Sequence, residues 1–369
     1  MKKASWIVAV VLVFSVFGLV LAGCGGETTT TTAAATTTAP AGDETTTTAG
    51  GETTATTAGE PVELSFAFFA PETSFPGVAS LWWIDEIGKA TNGQVTVKWF
   101  PGGTLLTAKN MYDGVLTGVA DIGLSCPTYE PGRFPLLSLN DLPGLYTTGL
   151  QGSLAIYDVV QANLDAAELK DFHVVTAFSM EPAYIMSTDK YETLASLKGA
   201  ELRTPGGPKI LEALGAVEVG MPQSEIAQAL QTNVIAGLMS SREVLKDFKY
   251  AEKCKYIIDY PLGQVTFLAV MTKAKYDSLP EYVQKAIDDL AQPFAEKGGE
   301  VMDAAVKTSL EWSTAEQGLQ TVELSAEEKA KFDAALAPLT DSFIASVAAK
   351  GLPAEDFYKQ LQEAGAKNK

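Results

Sequence analysis

The stretch "AELRTPGGPKILEALGAVEVGMPQSEIAQALQ", residues 200–231, decides the fold class. "AELR" is a short apolar strand. "PKILEALG" has helical spacing and stops at Gly215, a residue type that closes helices because it tolerates a left-handed backbone. "AVEV" is a strand again, and "QSEIAQALQ" a second helix. Strands alternating with helices in this way build parallel sheets covered by helices. Arg203 ends the first strand, just ahead of a Pro-Gly-Gly-Pro turn at 205–208. Open α/β sheets bind ligands beyond the C-terminal ends of their strands, so Arg203 stands where such a site is expected.

The same grammar runs outward in both directions. "VELSFAFF" (62–69) puts Val62, Leu64, Phe66 and Phe68 on one face. "GVASLWWIDEIGKATNG" (77–93) reads as a helix closed at Asn92-Gly93, with Trp82 and Trp83 as helix–core contacts. "QVTVKWF" (94–100), "ADIGLS" (120–125), "FHVVTAF" (172–178) and "AYIMS" (183–187) read as strands, with helices over 106–118 and 149–168. Downstream, "YIID" and "QVTFLAVMT" are further strands. Ser278 and Glu281 have capping-box spacing, with Pro280 in the first turn of a long helix toward Trp312. Pro293 and Gly298-Gly299 are expected to kink or break that helix. Ser325-x-x-Glu328 caps another, and "AEDFYKQLQEAG" (354–365) closes the chain's folded part. Two runs of alternating elements imply two α/β domains.

Ahead of the body lies a targeting segment. Lys2 and Lys3 precede an apolar run from Trp6 to Leu21, which ends in "LAGC" and marks a signal peptide over 1–23. The box resembles that of bacterial lipoproteins, in which the chain is cut before the cysteine, here Cys24, and that cysteine is acylated. An ordinary signal peptide cut after Gly23 is the alternative. Residues 27–60 are almost wholly Thr, Ala, Gly and Glu, too poor in large apolar side chains to repay ordering. They read as a tether that would reach about 30–35 Å as a flexible coil.

Composition narrows the function. A formal charge of −18 argues against nucleic acid, whose phosphates attract basic faces. His173 is the only histidine and lies in an apolar strand, where a packed role is commoner than catalysis. Cys126 and Cys254 could pair outside the cell or stay reduced. No phosphate loop, nucleophile elbow or zinc-ligand spacing occurs, so neither metal nor cofactor is expected. Only Arg133, Arg203 and Arg242 are arginine among 27 basic residues. A guanidinium offers a rigid fork of donors that matches a carboxylate. On the residues alone, Arg203 is either such a clamp or a plain structural ion pair. Arg133, in "PGRFP", reads as a loop anchor.

"TNGQVTVKWFPGGTL", "GVADIG", "PGRFPLL", "LKGAELRTPG", "LEALGAVEVGMPQSEIAQALQTNVIAG" and "MTKAKYDSLPEYVQKAIDDL" stand in an order and spacing that resemble the substrate-binding proteins of TRAP transporters, the DctP-like family. The likeness spans about Val62 to Leu361. It implies a two-lobed, periplasmic-binding-protein-like (type II) α/β fold with hinge strands, a long interdomain helix and a cleft at the hinge. Lobe I is expected over 61–180 plus about 268–305, and lobe II over 181–267 plus about 306–365. The resemblance further implies an ion-gradient-driven importer with small and large membrane subunits, a small organic acid as ligand and no enzymatic activity. A lipid-anchored monomer outside the cytoplasmic membrane is expected.

In that family the arginine of the "KG-x-x-x-R" segment pairs with the ligand's carboxylate, and Arg203 takes this place. Phe69, Ser125 and Gln223 fall at positions that line the cleft in relatives. Where many relatives carry a second arginine, this chain has "SMEPAYIMS", so Glu181 and Tyr184 become candidates. Met239 and Ser240 replace a common asparagine. Arg242 takes the place of a tryptophan found in some relatives; it is either a second ligand-binding cation or a partner of Glu243 or Asp247. Rival readings are a cell-surface ligand sensor and an enzyme on a binding-protein scaffold.

Overall fold

The computed structural model describes residues 60–166 and 168–369. The expected signal peptide, Cys24 and all but the last residue of the expected tether lie outside the described residues. The chain begins with β1 (Val62–Phe68), α1 (Phe75–Ala90), β2 (Val95–Phe100), α2 (Met111–Leu116), β3 (Ile122–Ser125), α3 (Gly149–Ala162) and β4 (Phe172–Ser179). It continues through β5 (Tyr184–Ser187), β6 (Glu201–Thr204), α4 (Ile210–Ala213), β7 (Val217–Gly220), α5 (Gln223–Gln231), β8 (Gly237–Ser240), α6 (Val244–Asp247) and β9 (Tyr256–Ile258). It ends with β10 (Thr266–Thr272), α7 (Lys273–Asp277), α8 (Glu281–Gln317), β11 (Gln320–Val322), α9 (Ala326–Ala348) and α10 (Ala354–Lys367).

Two sheets result, in the orders β2-β1-β3-β10-β4 and β11-β9-β5-β8-β6-β7. The sequence predicts parallel sheets, and the sheets are mixed. β1 pairs in parallel with β2 and β3, but β10 runs antiparallel to β3 and β4. β6 is parallel to β7 and β8, whereas β5 is antiparallel to β8 and β9. The exceptions have one cause: two of the three crossings between sheets pass directly from strand to strand, while the third runs through α8 to β11. The chain leaves the first sheet after β4 to enter the second as β5, and returns from β9 to β10. The crossing segments lie side by side, with Met180 N–H donating to Val265 carbonyl at 3.2 Å and Ala183 N–H to Gly263 carbonyl at 2.8 Å. A strand that re-enters from the other lobe arrives reversed.

Helix α8 runs 37 residues without interruption, about 55 Å at 1.5 Å per residue. Pro293 and the glycine pair do not break it. Ala291, Phe294 and Ala295 are buried against the first sheet, and tertiary packing of this kind outweighs local propensity. The glycines are there for contact. A Cβ at Gly298 would meet the Phe178 ring at 2.8 Å, and one at Gly299 the Leu150 backbone at 2.5 Å. α8 packs on α1, α3 and β4 at one end and on α6 at the other, so it joins both lobes. The expected capping box at its start is not made. Pro280 is the N-cap, and the Ser278 hydroxyl donates to the Lys275 carbonyl. The Ser325 cap of α9 is made, accepting from Glu328 N–H.

Two expected helices are shorter. α2 begins only at Met111, because the Asn110 side chain binds Thr107 N–H and hydroxyl in a turn ahead of it. α3 stops at Ala162, where the Asn163 amide turns back to the Val159 carbonyl. Residues 306–365 do not all follow the second lobe. α10 packs on α3, with Phe357 and Leu361 buried in the core beneath the first sheet. Trp83 is fully buried between Phe66 and Phe294, while Trp82 is only half-buried. Among the described residues no helix is long and apolar enough to cross a membrane.

Candidate functional site

The C-terminal ends of β1 and β3 in one sheet, and of β6, β7 and β8 in the other, meet at a cavity between the sheets. It measures about 40 Å³, room for about three water molecules. Pockets that hold small molecules span about 300–1,000 Å³, so the cavity is nearly closed as it stands. Its walls are mostly apolar, with Phe69, Phe75, Met180, Phe248, Val265 and Phe267 among them. Phe267 stands edge-on to Phe75 and stacks over Phe69, which meets Tyr129 edge-on. The first turns of α1 and α5 border the same space, through Phe75 and Gln223. Helix N-termini carry partial positive charge and favour anions.

Arg203 is the second-largest fully buried side chain, only 2% exposed. β6 holds it between Val219 of β7 and Leu238 of β8. Its Nε donates to Met221 carbonyl at 2.9 Å, Nη1 to Met239 carbonyl at 3.3 Å and Nη2 to the Tyr129 hydroxyl at 3.1 Å. A guanidinium has five N–H donors, so two are left without an acceptor among the described residues. The other arginines are paired, Arg133 with Asp113 and Glu130, Arg242 with Glu181. Arg203 has no such carboxylate among the described residues. Its three neutral acceptors orient the fork but do not neutralise it, and a buried cation without a counter-charge is costly.

Two further polar groups of the cavity lack partners among the described residues. Gln223 Nε2 and Glu243 Oε2 are buried with no hydrogen bond. Burial pushes the Glu243 carboxyl up to about 8, and the negative charges of Asp247 and Glu181 push the same way. At neutral pH this acid is predominantly protonated and uncharged in the folded chain. Burial also keeps the Cys126 thiol protonated.

Of the residues singled out from the sequence, Phe69, Arg203, Gln223, Met239 and Ser240 border this cavity. The others do not. Ser125 is buried behind it, its hydroxyl donating to Ala108 carbonyl at 3.3 Å. Arg242 pairs with neither Glu243 nor Asp247. It makes a fork with Glu181, Nε to Oε1 at 2.9 Å and Nη2 to Oε2 at 2.6 Å, and lies 4.1 Å over the Tyr184 ring. Arg242, Glu181 and Tyr184 thus form a brace between the crossover after β4 and the end of β8. Cys126 and Cys254 do not pair; each is an unbridged buried thiol, one in the cavity wall and one in the core of the second lobe. His173 lies elsewhere, stacked on Tyr276 at 3.5 Å between ring centres with Asp288 beside it. Tyr129, Phe75, Phe267 and Glu243 were not among the sequence candidates. Tyr129 carried a usable signal, since it stands four residues beyond the end of a strand, as Arg203 stands at the end of another.

The family model described as "Bacterial extracellular solute-binding protein, family 7" (DctP) matches residues 66–346. Among solved structures, the chain is similar to a TRAP periplasmic solute binding protein from Desulfovibrio salexigens, an open complex with the C-terminus of a symmetry mate bound in its ligand binding site. The two are 38% identical with a TM-score of 0.74, covering 83% of this chain and 96% of that one. It is similar as well to a marine metagenome TRAP solute binding protein, specific for aromatic acid ligands and in complex with 3-hydroxybenzoate. Here identity is 29% and the TM-score 0.79, over 84% of this chain and 99% of that one. The 2,3-diketo-L-gulonate-binding periplasmic protein YiaO of Escherichia coli K12 is 28% identical over 238 residues, 62% of this chain and 71% of its own length.

Proposed function

The chain belongs to family 7 of the bacterial extracellular solute-binding proteins, the DctP family, and from that premise we propose that it captures a small organic monocarboxylate through Arg203 for a TRAP-type importer. The observation that carries this reading is a guanidinium buried to 2% exposure at the junction of two lobes, with two N–H donors free and no counter-ion among the described residues. A carboxylate supplies both the missing charge and two acceptors.

The single cation sets the charge of the ligand. Arg242 is occupied by Glu181, so it does not serve a second carboxylate. The apolar walls suit a ligand whose remainder is hydrophobic and of ring size, the class that the metagenome relative binds. Opening of the lobes hydrates Arg203; closing over an acid excludes water and strengthens the pairing. Ligand binding thereby shifts the population toward the closed body. Small and large membrane subunits would read that closed body and draw on an ion gradient, so this chain binds and releases without chemistry. A lipid on Cys24, followed by the Thr-rich tether, would hold it outside the cytoplasmic membrane.

A thermal-shift screen of carboxylates tests the reading. An acid at a hundred times its dissociation constant stabilises the wild type by about 2.7 kcal/mol. The same acid should leave Arg203→Ala unshifted. Equal shifts in both proteins would remove Arg203 from the ligand's path.

A further inference from the structure

We propose that Glu243 is a specificity residue, its Oε2 hydrogen-bonding a hydroxyl on the ligand, so that the chain selects hydroxylated monocarboxylic acids over their unhydroxylated counterparts. The inference rests on Arg203 holding the ligand's carboxylate in the same cavity.

The cavity's unsatisfied polar groups are few and of two kinds. Arg203 and Gln223 offer N–H donors, which suit a carboxylate. The third group is an oxygen. Glu243 is 3% exposed, and its Oε2 has no partner among the described residues. Oε2 is the carboxyl oxygen that is buried without a hydrogen bond from the described residues, so it is the atom left for a ligand to satisfy. The rest of the wall is aromatic or aliphatic apart from the Cys126 thiol, the Tyr129 hydroxyl and the side chains of Ser74, Ser240 and Ser241, none of which is a buried atom left without a partner. Buried polar atoms left unpaired are costly, and a ligand that satisfies one is preferred to a ligand that does not.

The charges around Glu243 fix what it accepts. Arg203 shares its cavity, Asp247 follows on α6, and Glu181 lies on the crossover with its charge committed to Arg242. An ionised Glu243 would repel the carboxylate that Arg203 holds. Desolvation raises its pKa to about 8, so at neutral pH it is predominantly a neutral acid. A carboxylic acid both donates and accepts, and so does a hydroxyl; the two are complementary. A site built to bond a hydroxyl discriminates strongly against a ligand without one, because its own polar group is then stranded.

Isothermal titration with two probe pairs tests this: 3-hydroxybenzoate against benzoate, and mandelate against phenylacetate, on wild type, Glu243→Leu, Glu243→Gln and Arg203→Ala. The wild type should favour the hydroxylated member of at least one pair by about tenfold or more. Glu243→Leu should bring that ratio to near one while still binding the unhydroxylated acid. Glu243→Gln, which keeps a donor and an acceptor, should retain most of the preference. If Glu243→Leu fails to fold by circular dichroism, Glu243→Met gives the same apolar readout. A wild type without preference in either pair, or an apolar variant with the wild-type ratio, overturns the role of Glu243. Arg203→Ala that binds like wild type overturns the clamp instead, whatever Glu243 does. Absence of binding by all four probes to the wild type at millimolar concentration overturns both.

Discussion

The Nη2 of Arg203 on β6 donates to the hydroxyl of Tyr129, 3.1 Å away on the turn after β3, so one hydrogen bond at the cavity wall joins the two lobes. Both partners are buried, and burial keeps the Tyr129 phenol protonated. A bond from a charged donor contributes about 1.5–3 kcal/mol. Tyr129→Phe keeps the ring against Phe69 and removes only the acceptor. Ligand affinity should fall about tenfold, and small-angle scattering should show a wider particle without ligand. An unchanged affinity would mean that the lobes close without this bond.

The brace of Arg242 and Glu181 is a separate device. Glu181 is nearly wholly buried, whereas Arg242 keeps 22% of its side chain exposed. Removing the arginine therefore strands the more costly partner. Arg242→Ala should destabilise the fold by about 3 kcal/mol, and Glu181→Gln by less, since a partly solvated guanidinium finds water. The double variant should recover part of the loss in urea titrations, as coupled pairs do. Ligand affinity should stay within about twofold throughout, because neither residue borders the cavity. A hundredfold loss in Arg242→Ala would place that cation in the ligand's path.

Gly299 tests why α8 stays continuous. In an exposed helix, Gly to Ala stabilises by about 0.8–1 kcal/mol. Here the added methyl would come within 2.5 Å of the Leu150 backbone. Gly299→Ala should therefore destabilise by about 1–3 kcal/mol, the range for overpacking, and lower the melting temperature. Stabilisation would show that α3 and α8 are looser than the structure has them.

The pH profile follows from Glu243. Its carboxyl titrates near 4.5 in an unfolded chain and at about 8 when folded. Between those values the folded state holds the extra proton, so stability is fullest below 4.5 and falls as pH rises through about 8. Glu168, raised to about 7, and Asp247, raised to about 6, act in the same sense. Melting temperature should decline from pH 5 to 8.5. Glu243→Gln should decline less steeply, gaining on the wild type as pH rises. Parallel curves for the two proteins would mean that Glu243 ionises normally.

Much of this was legible in the residues. Alternating Leu64, Phe66 and Phe68 gave β1, and the strand–helix order of residues 200–231 placed Arg203 at a strand's end without any structure. Sheet direction was not legible, because a strand's pattern is the same whichever way it runs; only the two direct crossings reverse β5 and β10. Gly298-Gly299 misled for a related reason. Local propensity reads glycine as a breaker, and only the facing Phe178 and Leu150 show it as a contact. The sequence offers Glu243 or Asp247 as the partner of Arg242, while the fold supplies Glu181 from the crossover. Phe267 reaches the cavity from a strand with no ligand-binding motif, and Glu243 reads in the sequence only as a partner for Arg242, so their place in the cavity wall shows only in the tertiary structure.

Ligand capture as proposed depends on the fork of Arg203. Titration calorimetry with the acid that gives the largest thermal shift measures it most directly, on wild type, Arg203→Ala and Arg203→Lys, each checked for folding by circular dichroism. Alanine should cost about 3–5 kcal/mol, at least a hundredfold in affinity. Lysine should also fail, since one ammonium does not reproduce two parallel donors. Wild-type affinity in both variants would contradict the clamp.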